Sequence, residues 1–213
     1  MNMDFLNNPS LNIRLRHAIS LAWTILQNKV ANGLIRINKE ASLQLQFANI
    51  LQNVIPLITY SKEESVSLLL EDTLNDGSSN CEADVVVRCS KGKHKHTIAI
   101  EMKCYRRLAS SGNPRGAQDI FHKDVFDDLS TLEKYVKNRQ CDETVFLAMT
   151  DFENIVHSKK RVGKLWKYDI SDGSTINPGN YNTPVGGSPV SITIAGSYTF
   201  NWVKNGDFYF LEL

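Results

Sequence analysis

The run Thr144-Val145-Phe146-Leu147-Ala148-Met149 limits the fold more than any other stretch of the chain. It has the length of a strand and no polar alternation, so both of its faces must be covered, as in a sheet with helices above and below. Upstream, residues 117–137 carry Phe121, Val125, Leu129, Leu132 and Val136 at helical spacing. Before that helix, Thr97–Lys103 alternates as a strand. Strand, long helix and buried strand make a βαβ crossover, so the second strand is expected parallel to the first. The fold class is therefore α/β, with a mixed central β-sheet flanked by helices.

Two further helices precede the sheet. Ser10 is placed to cap the first, whose stripe of Leu11, Leu15, Ala18, Ala22, Ile25 and Leu26 ends near Gly33. The second starts close to Asn38, shows Leu43, Phe47, Ile50, Leu51 and Val54 on one face, and is expected to stop at Pro56. Ser67–Asp72 reads as a first short strand. Residues 110–116 and 171–189 are loops by composition, the latter a loop or lid. Lys204-Asn205-Gly206-Asp207 marks a hairpin turn between Tyr198–Val203 and Phe208–Leu213.

The chemistry is concentrated in two runs. Cys81-Glu82-Ala83-Asp84-Val85-Val86-Val87 places an acid at the mouth of a β-branched strand, and Ile100-Glu101-Met102-Lys103 ends the next one. Successive strand side chains alternate in direction, so Glu101 and Lys103 share a face. The Ser90-Lys91-Gly92-Lys93 turn makes the two strands an antiparallel hairpin and brings Asp84 beside Glu101. Two carboxylates and an ammonium at one end of a sheet suit a divalent metal and phosphodiester chemistry better than a packed core.

An acid on one strand followed by acid-x-Lys on the next resembles the PD-(D/E)XK nuclease superfamily, with Ala83 where that family's Pro stands. The resemblance covers about residues 38–151. It implies a restriction-endonuclease-like core within a single domain 1–213, with 152–213 as a C-terminal loop and β-hairpin extension. It also implies a Mg²⁺-dependent endonuclease acting on DNA, of restriction or defence type, with Mn²⁺ able to substitute. Asp84 and Glu101 would hold the metal, and Lys103 would orient or deprotonate the attacking water. A Glu on an N-terminal helix often completes the site in that family, and Glu40 matches it. The rival reading of Glu40 is a first-turn acid favoured by the helix dipole. Gln118, at the start of the long helix, and Gln44 would support the site from behind.

Other candidates carry plainer readings. Glu82 is read as an exposed residue at the strand entrance, Asp124 and Asp128 as part of a solvated helix face beside Lys123, and His94 and His96 as turn residues. Arg106, Arg107 and Arg115, together with Lys159, Lys160, Arg161 and Lys164, are the expected contacts to a nucleic-acid backbone. The formal net charge is only +1, so any polyanion contact must come from such local patches. Duplex cutting by a chain with one site favours a homodimer. Two readings compete with DNA cleavage: a structure-selective or RNA-directed nuclease on the same site, and a non-catalytic nucleic-acid-binding subunit. Four cysteines without C-x-x-C spacing, no apolar run near the ~20 residues that span a bilayer and no signal-like leader point to a cytoplasmic protein away from membranes.

Overall fold

The computed structural model describes residues 4–109, 111–157 and 163–213, without the side chains of residues 164 and 165. Helices α1 (Leu11–Ala31) and α2 (Glu40–Ile58) precede three long strands, β1 (Glu64–Asn75), β2 (Asn80–Lys91) and β3 (His94–Tyr105). Helix α3 (Gln118–Lys137), strand β4 (Glu143–Thr150) and the short α4 (Glu153–Val156) follow. The remaining chain forms β5 (Thr175–Ile176), β6 (Gly179–Tyr181), β7 (Ile192–Ile194), β8 (Tyr198–Thr199), β9 (Val203–Asn205) and β10 (Phe208–Glu212). The central sheet has six strands in the order β1-β2-β3-β4-β10-β9. Only β3 and β4 run parallel, as the intervening helix requires; every other pairing in that sheet is antiparallel. The α/β class with helices on a mixed sheet and a C-terminal strand hairpin is thus what the chain adopts.

Each face of the sheet buries its own core. On one side α1 and α2 pack Trp23, Phe47 and Leu51 against Ile100, Met102 and Phe210. On the other, α3 packs Phe126, Leu129 and Tyr135 against Ala99, Tyr105 and Phe146. Alternation along β3 therefore sends even-numbered residues towards α1 and α2 and odd-numbered ones, Glu101 and Lys103 among them, towards α3. Val136, expected on the buried stripe of α3, is 42% exposed, and Tyr135 is buried instead.

The structure corrects or refines several expectations. Helix α2 continues through Pro56 to Ile58. A proline so near the end removes only one intrahelical bond, and Arg14 Nε caps the exit by donating to the Ile58 carbonyl at 2.9 Å. Ser10 sits at the N-cap of α1, yet its hydroxyl makes no capping bond. The stretch expected as a loop or lid is largely irregular and exposed, as read, but it is pinned to the core at Ile176 and Val185. Ile176, Val185 and Ile192 are buried against α3 together with Tyr168 and Phe200, and the chain there forms the small ladders β5–β8 and β6–β7. The final turn centres on Gly206 and Asp207, with Gly206 at φ +59°, so its hairpin is β9–β10 alone.

Arg14 also anchors the fold electrostatically. Its guanidinium donates to Glu64 Oε2 at 2.7 Å, and both side chains are 1% exposed. Burial alone would raise the Glu64 pKa, but hydrogen bonds from Tyr60 N, Arg14 and Lys91 outweigh it and hold the carboxyl at about 2. A depressed folded-state pKa stabilises the chain above the unfolded value and loses that contribution as pH falls towards about 2. Arg14→Met, which removes the buried ionic partner of Glu64 and leaves Lys91 and the Tyr60 amide to hold the carboxylate, is expected to destabilise the protein by about 1.5–3 kcal/mol in urea unfolding at neutral pH. An unchanged midpoint would mean the pair contributes nothing.

Candidate functional site

The β2–β3 ladder is paired from Lys91–His94 as far as Val85–Ile100 and goes no further. Beyond that point the Met102 amide donates to the Asp84 carboxylate, Oδ2, at 2.7 Å. The Asp84 carbonyl is taken by Gln44 Nε2 of α2 at 2.5 Å. Gln44, only 6% exposed, thus holds the Asp84 main chain while Asp84 itself terminates the ladder. Across the other edge of β2, Glu71 has φ +51°, a conformation that non-glycine residues rarely adopt. It faces Asp84 at the position skipped between the Leu70–Val85 and Asp72–Ala83 pairs. The local backbone is irregular on both sides of Asp84.

Glu101 and Lys103 lie in this opening. Lys103 Nζ is 3.2 Å from Glu40 Oε1 and 3.0 Å from Asp128 Oδ2, so one ammonium joins the start of α2 to the middle of α3. Burial of Lys103 would favour the neutral amine, but Asp128 and Glu40 outweigh it and raise its pKa well above the ordinary value. The ammonium form is favoured in this environment, which suits orienting and offsetting negative charge.

Four carboxylates surround this one cation. Glu101 is 7% exposed, and burial, then the charges of Asp128 and Asp84, push its pKa well up. Asp128 is pushed up to about 7, chiefly by burial and against the pull of Lys103. Its Oδ2 has the ionic contact with Lys103 but no hydrogen bond in satisfactory geometry. Glu40, half exposed, is also raised, by burial first. A buried group of carboxylates with one counter-ion is short of positive charge, which either protons or a bound cation can supply.

Asp128 is the residue that sequence reasoning misplaced. The solvated-face reading holds for Asp124, which pairs with Lys123 at 2.6 Å; Asp127 joins that pair at 2.5 Å. Asp128, one residue further round the helix, turns inward and is 17% exposed. Glu82 is exposed, as expected. Gln118 opens α3 but makes no hydrogen bond to this cluster among the described residues.

The basic residues divide. Arg106 is engaged: its Nε donates to Asp151 Oδ2 at 2.9 Å, a terminal nitrogen contacts the Ile37 carbonyl, and the guanidinium stacks over Phe208. Arg115 lies 5.5 Å from the Tyr105 ring centre. Arg107 is exposed, with only its amide tied to Asp151. Lys159, Lys160 and Arg161, and the side chain of Lys164, lie outside the described residues.

No family model, curated protein or solved structure matches this chain. The site therefore has to be judged on its own chemistry. Its donors are all hard carboxylate oxygens, the class that Mg²⁺ and Mn²⁺ prefer. Among the described residues, no group of three or more His, Cys, Asp or Glu side chains is placed to hold a metal ion. Mg²⁺ commonly takes one or two carboxylates and fills its octahedron with water and substrate phosphate, so the donor set fits that ion. No helix among the described residues is long and apolar enough to cross a membrane.

Gln44→Leu tests the backbone arrangement. It leaves the partly buried Asp84 carbonyl without that donor and is expected to cost about 1–3 kcal/mol in chemical unfolding. Unchanged stability would show that the carbonyl is satisfied without Gln44.

Proposed function

We propose that the chain is a Mg²⁺-dependent endonuclease that hydrolyses phosphodiester bonds of DNA, with restriction or defence as its setting. The observation that carries this reading is the Lys103 ammonium, held between Asp128 and Glu40 beside the Asp84 and Glu101 carboxyls. Asp84 and Glu101 would hold the metal, with Glu40 as a further oxygen donor at the exposed side. A bound Mg²⁺ would supply Lewis-acid polarisation of the phosphate and a more acidic water. Lys103 would hold its charge against the phosphoryl oxygens, where it offsets the negative charge that develops in phosphoryl transfer. Asp128 would keep Lys103 protonated and aimed. The resemblance to the PD-(D/E)XK superfamily, an acid on one strand and acid-x-Lys on the next, agrees with this assignment. A second copy of the chain would supply the cut on the opposite strand of a duplex.

A plasmid-nicking assay with metal replacement tests the reading. Cleavage is expected with Mg²⁺ or Mn²⁺ and is expected to stop in EDTA. Ca²⁺, with its longer and looser coordination, should support DNA binding without cutting. Full activity in EDTA would sink the proposal. Glu40→Gln refines it: a ligand role predicts a higher Mg²⁺ requirement, whereas a purely helix-terminal role leaves the metal titration unchanged.

A further inference from the structure

The central sheet ends in two unlike edges. One is β9, only three residues long, and shortness is a common guard on an open edge. The other is β1, twelve residues long against about 5–6 for an ordinary strand. Among the described residues no strand pairs with its outer side, so alternate residues there point an amide and a carbonyl outward. Residues 65–70, Ser-Val-Ser-Leu-Leu-Leu, contain neither a charge nor a proline, the usual guards against pairing with another chain.

Helix α2 continues this uncharged surface. It lies next to β1, while α1 packs between it and the β9–β10 hairpin. Phe47 meets Trp23 of α1 edge-on, and at about 100° per residue Leu45, Gln52 and Pro56 point the opposite way. All three are exposed, Leu45 by 57%. Charged residues make up 22% of the chain, yet residues 41–61 contain none, so this side lacks the charged face of a helix that meets water. On the same face of the sheet, Val66 and Leu68 are only partly buried against the core and Leu70 is 42% exposed.

An uncharged strand edge beside an uncharged helix side selects its occupant. A two-fold axis sets residues near their own copies, so a charge close to the axis would face its like. A surface without charges escapes that repulsion. Antiparallel pairing of β1 with the same strand of a second copy is itself two-fold. Centred on Leu68, it sets Val66 opposite the partner's Leu70 and Leu68 opposite the partner's Leu68. The acids at the ends of that register already have counter-ions within the chain: Arg14 and Lys91 for Glu64, and Arg88 for Asp72. We propose that β1 and the adjoining side of α2 form the contact between two copies of this chain, joining their sheets edge to edge. That pairing uses up both long edges and leaves only the short β9 edges, so the assembly closes at two. The inference does not depend on the nuclease reading.

Sedimentation equilibrium of the full chain at about 50 μM tests it, a concentration above the micromolar limit of standard-sized interfaces. The wild type is expected as a dimer. Leu45→Lys/Leu70→Lys places charges at two exposed positions where each meets the partner's uncharged surface or its own like. It should keep the wild-type circular dichroism and weaken association about tenfold or more. Val203→Lys, on the β9 edge, should leave the dimer intact. Hydrogen exchange on the wild type supplies a readout without substitution. The outward amides of residues 65–70 should exchange slowly in the concentrated sample and quicken on dilution to the monomer. A monomer in the concentrated sample, a dimer unmoved by the double variant, or exchange at residues 65–70 that ignores dilution overturns the assignment. Plasmid nicking by the same preparations reads the nuclease separately: a dimer that never nicks keeps this interface and sinks the nuclease, and a monomer that nicks in Mg²⁺ does the reverse.

Discussion

Glu101→Gln and Asp84→Asn are each expected to abolish metal-dependent cleavage, by on the order of a thousandfold or more, while leaving the protein folded. The activity loss follows from removing a metal-binding charge whose effect on the barrier is several kcal/mol, at 1.36 kcal/mol per tenfold in rate. The two variants differ in stability. Glu101 is buried among Asp128 and Asp84, and its folded-state pKa lies well above the ordinary carboxylate value. Between those two values the folded chain holds a proton that the unfolded chain has released, so wild-type stability falls as pH rises. Glutamine in that place carries no charge to desolvate. Glu101→Gln should therefore melt higher than wild type at pH 8 and show a flatter pH dependence. Asp84→Asn keeps an oxygen to accept the Met102 amide and should change the melting temperature little. Wild-type cutting by either variant would show that the site has been misassigned.

Lys103→Met is expected to have the largest effect on stability of any single change in the site. It removes the counter-ion from Asp128 and Glu40 and leaves a buried carboxylate unpaired, a loss of about 3–5 kcal/mol. The pH dependence identifies the cause. In wild type, Asp128 titrates at about 7 in the folded chain, against about 3.9 when unfolded. Its proton therefore favours the folded state below that window, and stability declines as pH rises through it. Without Lys103, the influence that lowers the Asp128 pKa disappears, so the window extends upwards and the penalty grows with it. Urea unfolding of the variant should approach that of wild type near pH 4 and fall far short at pH 8. A deficit independent of pH would mean lost packing of the lysine stem rather than lost charge.

The legible parts of the fold were those written locally. The β2–β3 hairpin has apolar strands on either side of a Gly-Lys turn, and the β3–α3–β4 unit has a strong change of period from strand to helix and back. Asp84, Glu101 and Lys103 could be placed because strand parity fixes which side chains share a face. Asp128 could not. Its neighbours Lys123, Asp124 and Asp127 are solvated, and inward rotation is decided by how α3 seats on the sheet, shown by the burial of Tyr135 in place of Val136. The partner that makes Asp128 tolerable, Lys103, lies on a distant strand. The C-terminal hairpin was legible from its turn, but residues 171–199 were not: strands of two or three residues such as β5 and β8 are too short to show a period. Their burial comes from single residues, Ile176 and Phe200 among them, set between glycines, prolines and asparagines.

The position of β10 affects how the molecule is made. Every residue of the carboxylate cluster is translated by Asp128, and β4 by Thr150, yet the outer edge of β4 pairs with residues 209–213. During synthesis that edge, from a strand buried along most of its length, has no partner until residues 209–213 have been made. An open apolar strand edge invites pairing with another molecule. Sealing the sheet then waits on residues 209–213, and slow translation between residues 150 and 209 would favour aggregation over folding.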